Sequence, residues 1–291
     1  MASLKDIKNK IAGVKKTAQI TKAMNMVASA RLRGAQMKME SFRPYSSKFD
    51  EAMSNLSGGA NIAAFPLMEV RKVNTVEIVV VTSDRGLCGS FNANINKLAE
   101  KKMKAYEAEG KKVTFVCVGK KGNQYFKKTG KVRKAYTDIM AAFQMFHARD
   151  IAQDIAENFV KGGSDKVEVL YGHFKSVAIQ RPAVQEMLPV QPVAEVPGAA
   201  KKAIGGDYIY EPSTEEIMDV MQPLYLNVIL YHAMLEVGAS EQAARMTAME
   251  NATSACRDIV NNLTLIYNKA RQAAVTNELM DIVGGAEALK G

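Results

Sequence analysis

The residues best placed to do chemistry crowd one turn: Ser83, Asp84, Arg85, Gly86, Leu87, Cys88, Gly89 and Ser90 follow a β-branched run and lead into a helical stretch. A strand-to-helix turn of this kind is where open α/β sheets hold nucleotides. The two glycines, however, are spaced Gly-x-x-Gly. Neither the three-glycine dinucleotide pattern nor a Gly-Lys-Ser/Thr phosphate loop occurs in the chain. The glycines are therefore read as making a tight turn, with Ser90 or Asn92 capping the following helix.

Other reactive side chains are scattered. His147, His173 and His232 stand alone with no ligand spacing, and Cys88, Cys117 and Cys256 form no Cys-x-x-Cys pair. Cys88 lacks an identifiable base and is read as a structural thiol. No cofactor and no metal is expected. Three odd, distant cysteines also argue against a disulfide framework and favour a reducing compartment.

The elements that position these residues follow from the periods. Leu4, Ile11, Ala18, Leu32 and Met39 share one heptad position, and Ile7, Val14, Ala28, Ala35, Phe42, Phe49 and Leu56 share the other. Of 16 such sites between Leu4 and Leu56, 13 are apolar, with Thr21, Asn25 and Ser46 as exceptions. A period of 3.5 held that long asks for a partner helix. A capping box of Ser3 and Asp6 starts the arm, Pro44 should kink it, and Gly58 and Gly59 should end it.

The other end of the chain has the same character. Met249, Ala252, Cys256, Ile259, Leu263, Ile266, Ala270, Ala273, Asn277 and Met280 alternate by three and four. Ser213 and Glu216 form a second capping box on a short helix, Pro223 is expected to restart the long one, and Gly284 and Gly285 to close it. At 1.5 Å per residue these arms would be roughly 80 and 90 Å long. Their charges differ: residues 1–57 carry 11 basic and 4 acidic side chains, residues 212–291 carry 5 and 10. Opposite charge and small seam residues favour their pairing as one antiparallel, left-handed, intramolecular coiled coil. The alternative is two ordinary amphipathic helices packed on a domain.

Between the arms the period becomes that of strands at Val76 to Thr82, Val113 to Val118, Val167 to Tyr171 and Ala183 to Val190. These alternate with helices at Phe91 to Glu109, Lys120 to Lys128 and Ala148 to Lys161. That pattern predicts a Rossmann-like α/β domain with a parallel sheet and right-handed crossovers. The expected organisation is an N-terminal coiled-coil arm at 1–58, an inserted α/β domain at 74–210 and a C-terminal arm at 212–291. Pro189 to Gly206 reads as a loop.

The chain has 291 residues, is 47% hydrophobic and 24% charged, and carries a formal net charge of +9. These values exclude wholesale disorder and suggest an acidic partner. Pro223 to Leu235, its most apolar stretch, is too short to span a bilayer, so any membrane role is peripheral. Lys5 to Lys38 holds nine basic residues and one acidic one, which could neutralise phosphates, yet it has no aromatic residue on which bases could stack. A basic coiled-coil nucleic-acid-binding protein and a Rossmann-like nucleotide enzyme remain alternatives to a protein-binding shaft.

Four blocks now become specific: Ile20 to Ala28 (Ile-Thr-Lys-Ala-Met-Asn-Met-Val-Ala), Thr82 to Asn92 around Ser-Asp-Arg-Gly-Leu-Cys-Gly, Ser240 to Met249, and Tyr267 to Ala273 followed by Thr276 to Leu279. In this order they resemble the gamma subunits of F-type ATP synthases, of the bacterial type. The resemblance implies the non-catalytic central rotor shaft of a proton-translocating complex, one copy per complex. It would couple rotation of the membrane c-ring to conformational cycling of the catalytic beta subunits. Implied partners are three alpha and three beta subunits, the epsilon subunit and the c-ring. Arg271 and Gln272 would meet catch loops of the alpha/beta ring, Met24 and Lys22 would lie near acidic lever loops, and Tyr208, Tyr210 and Glu211 would form part of the foot on the c-ring. The implied location is peripheral, on the cytoplasmic face of the bacterial inner membrane. Two departures stand out: Asn25 occupies a position often acidic in the family, and the cysteine-bearing insert of chloroplast versions is missing.

Overall fold

The computed structural model describes residues 3–57, 65–190, 211 and 213–288. It divides into two compact units, one of Met1–Ser29 with Arg245–Gly291 and one of Ala30–Ala244. Two helices contribute to both units: α1, Leu4–Ser57, and α5, Thr214–Ala288.

In the first unit the heptad reading of α1 holds. Ile7, Thr21 and Ala28 are buried and Leu4, Ile11, Val14, Ala18 and Asn25 half-buried, while the intervening residues are exposed except for half-buried Met24. The capping box also forms: the Asp6 N–H donates to Ser3 Oγ at 3.2 Å, and the Ser3 N–H donates to Asp6 Oδ2 at 3.2 Å. On α5 the seam departs from expectation. Met249, Cys256, Leu263 and Ala270 face inward, but they alternate with Thr253, Val260, Tyr267 and Ala274. Ile259 and Ile266 are about half exposed at 47% and 52%, and Ala273, Asn277 and Met280 are exposed. Val260, Tyr267 and Ala274 each follow an apolar neighbour, so hydrophobicity alone leaves the phase undetermined.

Polar contacts inside the seam set that phase. Thr21 Oγ1 and Thr253 Oγ1 are 2.7 Å apart in a buried hydrogen bond, and Asn25 Nδ2 donates to the Met246 carbonyl at 2.8 Å. Thr21 lies opposite Thr253 and Asn25 opposite Met246, so the two helices run antiparallel. Two of the three expected polar exceptions, Thr21 and Asn25, are thus built-in contacts.

The second unit contains the sheet. Its strands are β1 (Thr75–Val81), β2 (Lys112–Val118), β3 (Val132–Tyr136), β4 (Lys166–Phe174) and β5 (Gln180–Leu188), in the order β3-β2-β1-β4-β5. The helices between them are α2 (Phe91–Ala108), α3 (Lys120–Phe126) and α4 (Met145–Val160). β1 is buried on both faces beyond its first residue, as parallel strands under two helical layers are. One layer is α2 with α3: Tyr106 of α2 donates to Glu168, and Phe126 of α3 stacks on Phe115 at 4.2 Å. The other is α4, whose Asn158 reaches Glu77. Glu77 and Glu168 are buried carboxylates on opposite faces. Glu77 meets Arg133 Nε at 2.5 Å, and Glu168 accepts from Tyr106 at 2.5 Å with Lys102 and Lys166 each at 3.2 Å. Burial lifts the Glu77 carboxyl above its ordinary range despite Arg133. Burial acts the same way on Glu168, but Tyr106 and the two lysines outweigh it and hold it below.

Several local expectations need correction. β3 was not foreseen, because Arg133 and Lys134 sit exposed in an edge strand and its pattern shows almost no buried face. β5 pairs antiparallel with β4, since residues 175–179 are too few for a parallel crossover. Pro223 lies inside α5 and does not restart it, held by buried Met218, Gln222, Tyr225 and Leu226 on either side. Gly284 and Gly285 do not close α5, which continues to Ala288. Pro44 lies inside α1, between buried Met39 and Phe49, where the expected kink would fall. Gly58, Gly59 and residues 191–206 of the expected loop lie outside the described residues.

Both helices also pack in the second unit. Phe49 stacks on Tyr225 at 6.1 Å, and Phe42 meets Tyr231 edge-on at 5.0 Å. The apolar core there is continuous from Phe49, Met53 and Leu56 of α1 through the sheet to Leu226, Ile229 and Ala233 of α5.

Candidate partner-binding surfaces

In the first unit the seam uses one face of each helix, and the outward faces carry the residues of interest. Lys22 is exposed and Met24 half-buried beside it. Arg271 and Gln272 directly follow the seam residue Ala270 and are both exposed. Ile20, Met26 and Val27 lie uncovered on α1 at 60%, 58% and 53% exposure, so the basic outer face is also apolar. Charge counting alone hides that mixture.

Beyond Ala274 every described side chain of α5 is exposed, including Val275, Leu279, Met280, Ile282 and Val283. The cause is geometric. Leu4 is the first residue of α1 and lies seventeen residues before Thr21; seventeen residues beyond Thr253 comes Ala270. Past that level α1 supplies no partner, and an apolar helix end stands bare. Monomeric proteins rarely leave such a patch open. The heptad reading missed it by continuing the seam to Met280.

Of the expected foot, Glu211 is exposed, and Tyr208 and Tyr210 lie outside the described residues.

The turn after β1 is occupied by internal bonding. Asp84 Oδ1 accepts the N–H groups of Lys120 at 2.9 Å and Asp138 at 3.0 Å, and Oδ2 accepts that of Met140 at 2.8 Å. One carboxylate thereby ties together the loops after β1, β2 and β3. Asn92 caps nothing: its Oδ1 accepts the Ser83 N–H at 3.1 Å, and its Nδ2 donates to Ser83 Oγ at 2.7 Å. Ser90 takes the N-cap position of α2 without a side-chain cap bond. Between β1 and β4, where a doubly wound sheet would open its ligand crevice, the Phe91 ring lies on Gly172. A Cβ on Gly172 would stand 2.3 Å from Phe91 Cε2.

The histidines are less scattered than their sequence positions suggest. His173 Nδ1 and His232 Nε2 both reach the buried carboxylate of Glu236, at 3.2 and 3.3 Å. His147 closes a capping box with Gln144 at the start of α4. Among the described residues no group of three or more His, Cys, Asp or Glu side chains is arranged to hold a metal. All three cysteines are buried thiols outside any disulfide, and burial pushes the Cys117 thiol up to about 12.

The fold and its surfaces define a class: an antiparallel helical pair with basic and apolar exposed faces and a bare apolar end in one unit, and in the other a Rossmann-like domain whose crevice is filled by Phe91. Its fold matches the central stalk and c-ring structure of Tetrahymena thermophila mitochondrial ATP synthase, with a TM-score of 0.61 and 26% identity, covering 80% of this chain and 99% of that one. The Euglena gracilis mitochondrial ATP synthase rotor in rotational state 1 shares the fold, with a TM-score of 0.63 at 21% identity over 94% of this chain and 98% of that one. The family model described as ATP synthase matches residues 3–289. The ATP synthase gamma chain of Desulfotalea psychrophila is 72% identical over 290 residues, and that of Nitratidesulfovibrio vulgaris strain Miyazaki F 50% identical over 293, each alignment covering 100% of both chains. The chain therefore belongs to the ATP synthase gamma-chain family, the central-stalk rotor subunits of F-type ATP synthases.

Proposed function

We propose that this chain turns as the rotor shaft of its complex and performs no catalysis of its own. A two-helix shaft has no threefold symmetry. Inside a ring of three alpha and three beta subunits it must touch three chemically identical sites differently, which gives them unequal affinities. Rotation then exchanges those affinities, because an equilibrium shifts only by as much as the contacts differ between states. The observation that carries this reading is the bare helix end beyond Ala274, together with the basic and apolar outer face around Lys22.

On this reading Lys22 and Met24 meet acidic loops of the beta subunits, and Arg271 and Gln272 bond to loops at the ring's inner wall. Tyr208, Tyr210 and Glu211 rest on the c-ring, and the epsilon subunit completes the stalk. Residues 1–58 and 212–291 act as the shaft and residues 74–210 as the inserted domain. No described helix is long and apolar enough to cross a membrane, which suits attachment through the c-ring on the cytoplasmic face of the bacterial inner membrane. Reconstitution with alpha and beta subunits tests the proposal. The chain alone should hydrolyse no ATP, and its addition should produce ATP-driven rotation of a probe fixed to the second unit. ATP hydrolysis by the isolated chain, or a stationary probe on an active assembly, would overturn it.

A further inference from the structure

Glu236 is a charged residue in the middle of α5 whose side chain is fully buried, and it is the point where three elements meet. From α1, Arg43 donates through Nε at 2.9 Å and pairs through Nη2 at 2.8 Å, both with Oε1. From β4, the Phe174 N–H donates to Oε2 at 2.7 Å, and His173 lies 3.2 Å from the same oxygen. From α5 itself, His232 approaches Oε1 at 3.3 Å. Arg43 Nη2 also donates to the Phe174 carbonyl at 2.9 Å, so the guanidinium bridges helix and strand directly. One turn further along α5, Ser240 donates to the Gly172 carbonyl at 3.0 Å. Between these residues Gly238 leaves a notch against the Phe143 ring, which a Cβ would approach to 3.3 Å.

This half-buried ion pair is a poor device for stability alone: the Glu236 carboxylate is taken wholly out of water, which offsets much of the attraction, while Arg43, 39% exposed, stays partly screened by solvent. It does fix orientation. Apolar contacts are non-directional and let packed helices slide, whereas a guanidinium sharing a carboxylate and a carbonyl holds one geometry. Elsewhere the α1–α5–sheet junction is made of Phe42, Phe49, Met53, Tyr225, Tyr231 and their apolar neighbours, which resist separation better than sliding.

We propose that Glu236 and Arg43 are positioning residues that key α1 and α5 to the end of β4, so that the sheet and the helical segments of the second unit turn as one body. The coupling part of this proposal rests on the rotor function proposed above; the positioning part does not.

The test uses the full chain carrying Glu236→Gln with Arg43→Met. This pair removes both charges while the amide oxygen can still accept the Phe174 N–H. Spin labels on Met37→Cys in α1 and Lys101→Cys in α2, both exposed positions, report how firmly the helix is seated. The native chain should give one narrow distance, and the double variant at least a doubling of its width with unchanged helical circular dichroism. An unchanged width overturns the proposal, and so does loss of the fold, which would assign the pair to stability alone. In membrane vesicles bearing the complex, ATP-driven proton uptake per ATP hydrolysed should fall several-fold. Arg43→Lys with Glu236 retained keeps the charge without the fork and should restore little of it, and full restoration would overturn the positioning role of the guanidinium. Broadened distances with uptake per ATP unchanged overturn the coupling role. Absence of ATP-driven uptake with the native chain would count against the rotor function and leave the distance result standing.

Discussion

Thr21 and Thr253, 232 residues apart in the sequence, share a buried hydrogen bond of 2.7 Å across the helical seam. Each hydroxyl is also within reach of its own helix: Thr21 Oγ1 is 3.1 Å from the Ala18 carbonyl and Thr253 Oγ1 2.8 Å from that of Met249. Two protons serve three contacts, so one hydroxyl donates along its helix and the other across. Removing one hydroxyl leaves the other its backbone acceptor, and Thr21→Val should cost only about 1 kcal/mol. Thr21→Val with Thr253→Val replaces both by apolar groups of like shape and should be neutral or stabilising. Urea unfolding of the full chain followed by helical circular dichroism checks both, and a double variant less stable than the single one contradicts this account.

The two alanines of the Ala270-Arg271-Gln272-Ala273 stretch should behave oppositely. Ala270 lies in the seam and Ala273 is exposed. Ala270→Leu should overpack the helical pair and cost about 1–3 kcal/mol, while Ala273→Leu should stay within about 0.5 kcal/mol of the native chain. The same unfolding measurement decides, and equal effects would refute the seam phase described above.

Gly172→Ala should destabilise the second unit by about 1–3 kcal/mol, because its new methyl would collide with Phe91 inside a closed core. Combining it with Phe91→Leu should recover part of the loss, since the two sites are in contact and therefore not additive. Calorimetric melting of the single and double variants measures the coupling. Additive losses would mean that the ring is not what fills the crevice.

Acid should loosen the junction around Glu236. Burial raises this carboxyl, but the bonds from His232, the Phe174 N–H and Arg43 outweigh it and hold it below its ordinary value of 4.5. A depressed folded-state carboxyl contributes stability that is fully present above the unfolded value and is lost as pH falls through the folded one. Stability should therefore decline below about pH 4.5. Glu236→Gln should flatten that decline, measured as unfolding free energy between pH 6 and pH 3. An unchanged slope would show that other carboxylates carry it.

Much of this was legible in the sequence because it is local and periodic. The N-terminal seam, the central strands and the helices between them follow from side-chain spacing alone. The back seam did not, because Ile259 beside Val260 and Ile266 beside Tyr267 give hydrophobicity no preferred phase; a hydroxyl pair settles it. β3 was invisible because Arg133 and Lys134 spend their charge on Glu77 and Asp154, partners that only the fold brings near. The convergence of His173 and His232 on Glu236 was hidden for the same reason. Of the candidate site, Lys22, Arg271 and Gln272 could be named by resemblance, and all three are exposed. The bare helix end could not be anticipated, since it depends on where α1 begins relative to its partner.

That bare end has a mechanical consequence. Two helices side by side resist bending far more than one does, because material set away from the bending axis contributes most to stiffness. The stretch from Val275 onward is a single helix. It should flex sideways under loads that leave the paired part unbent, so that within the first unit compliance is concentrated beyond Ala274 and rigidity before it.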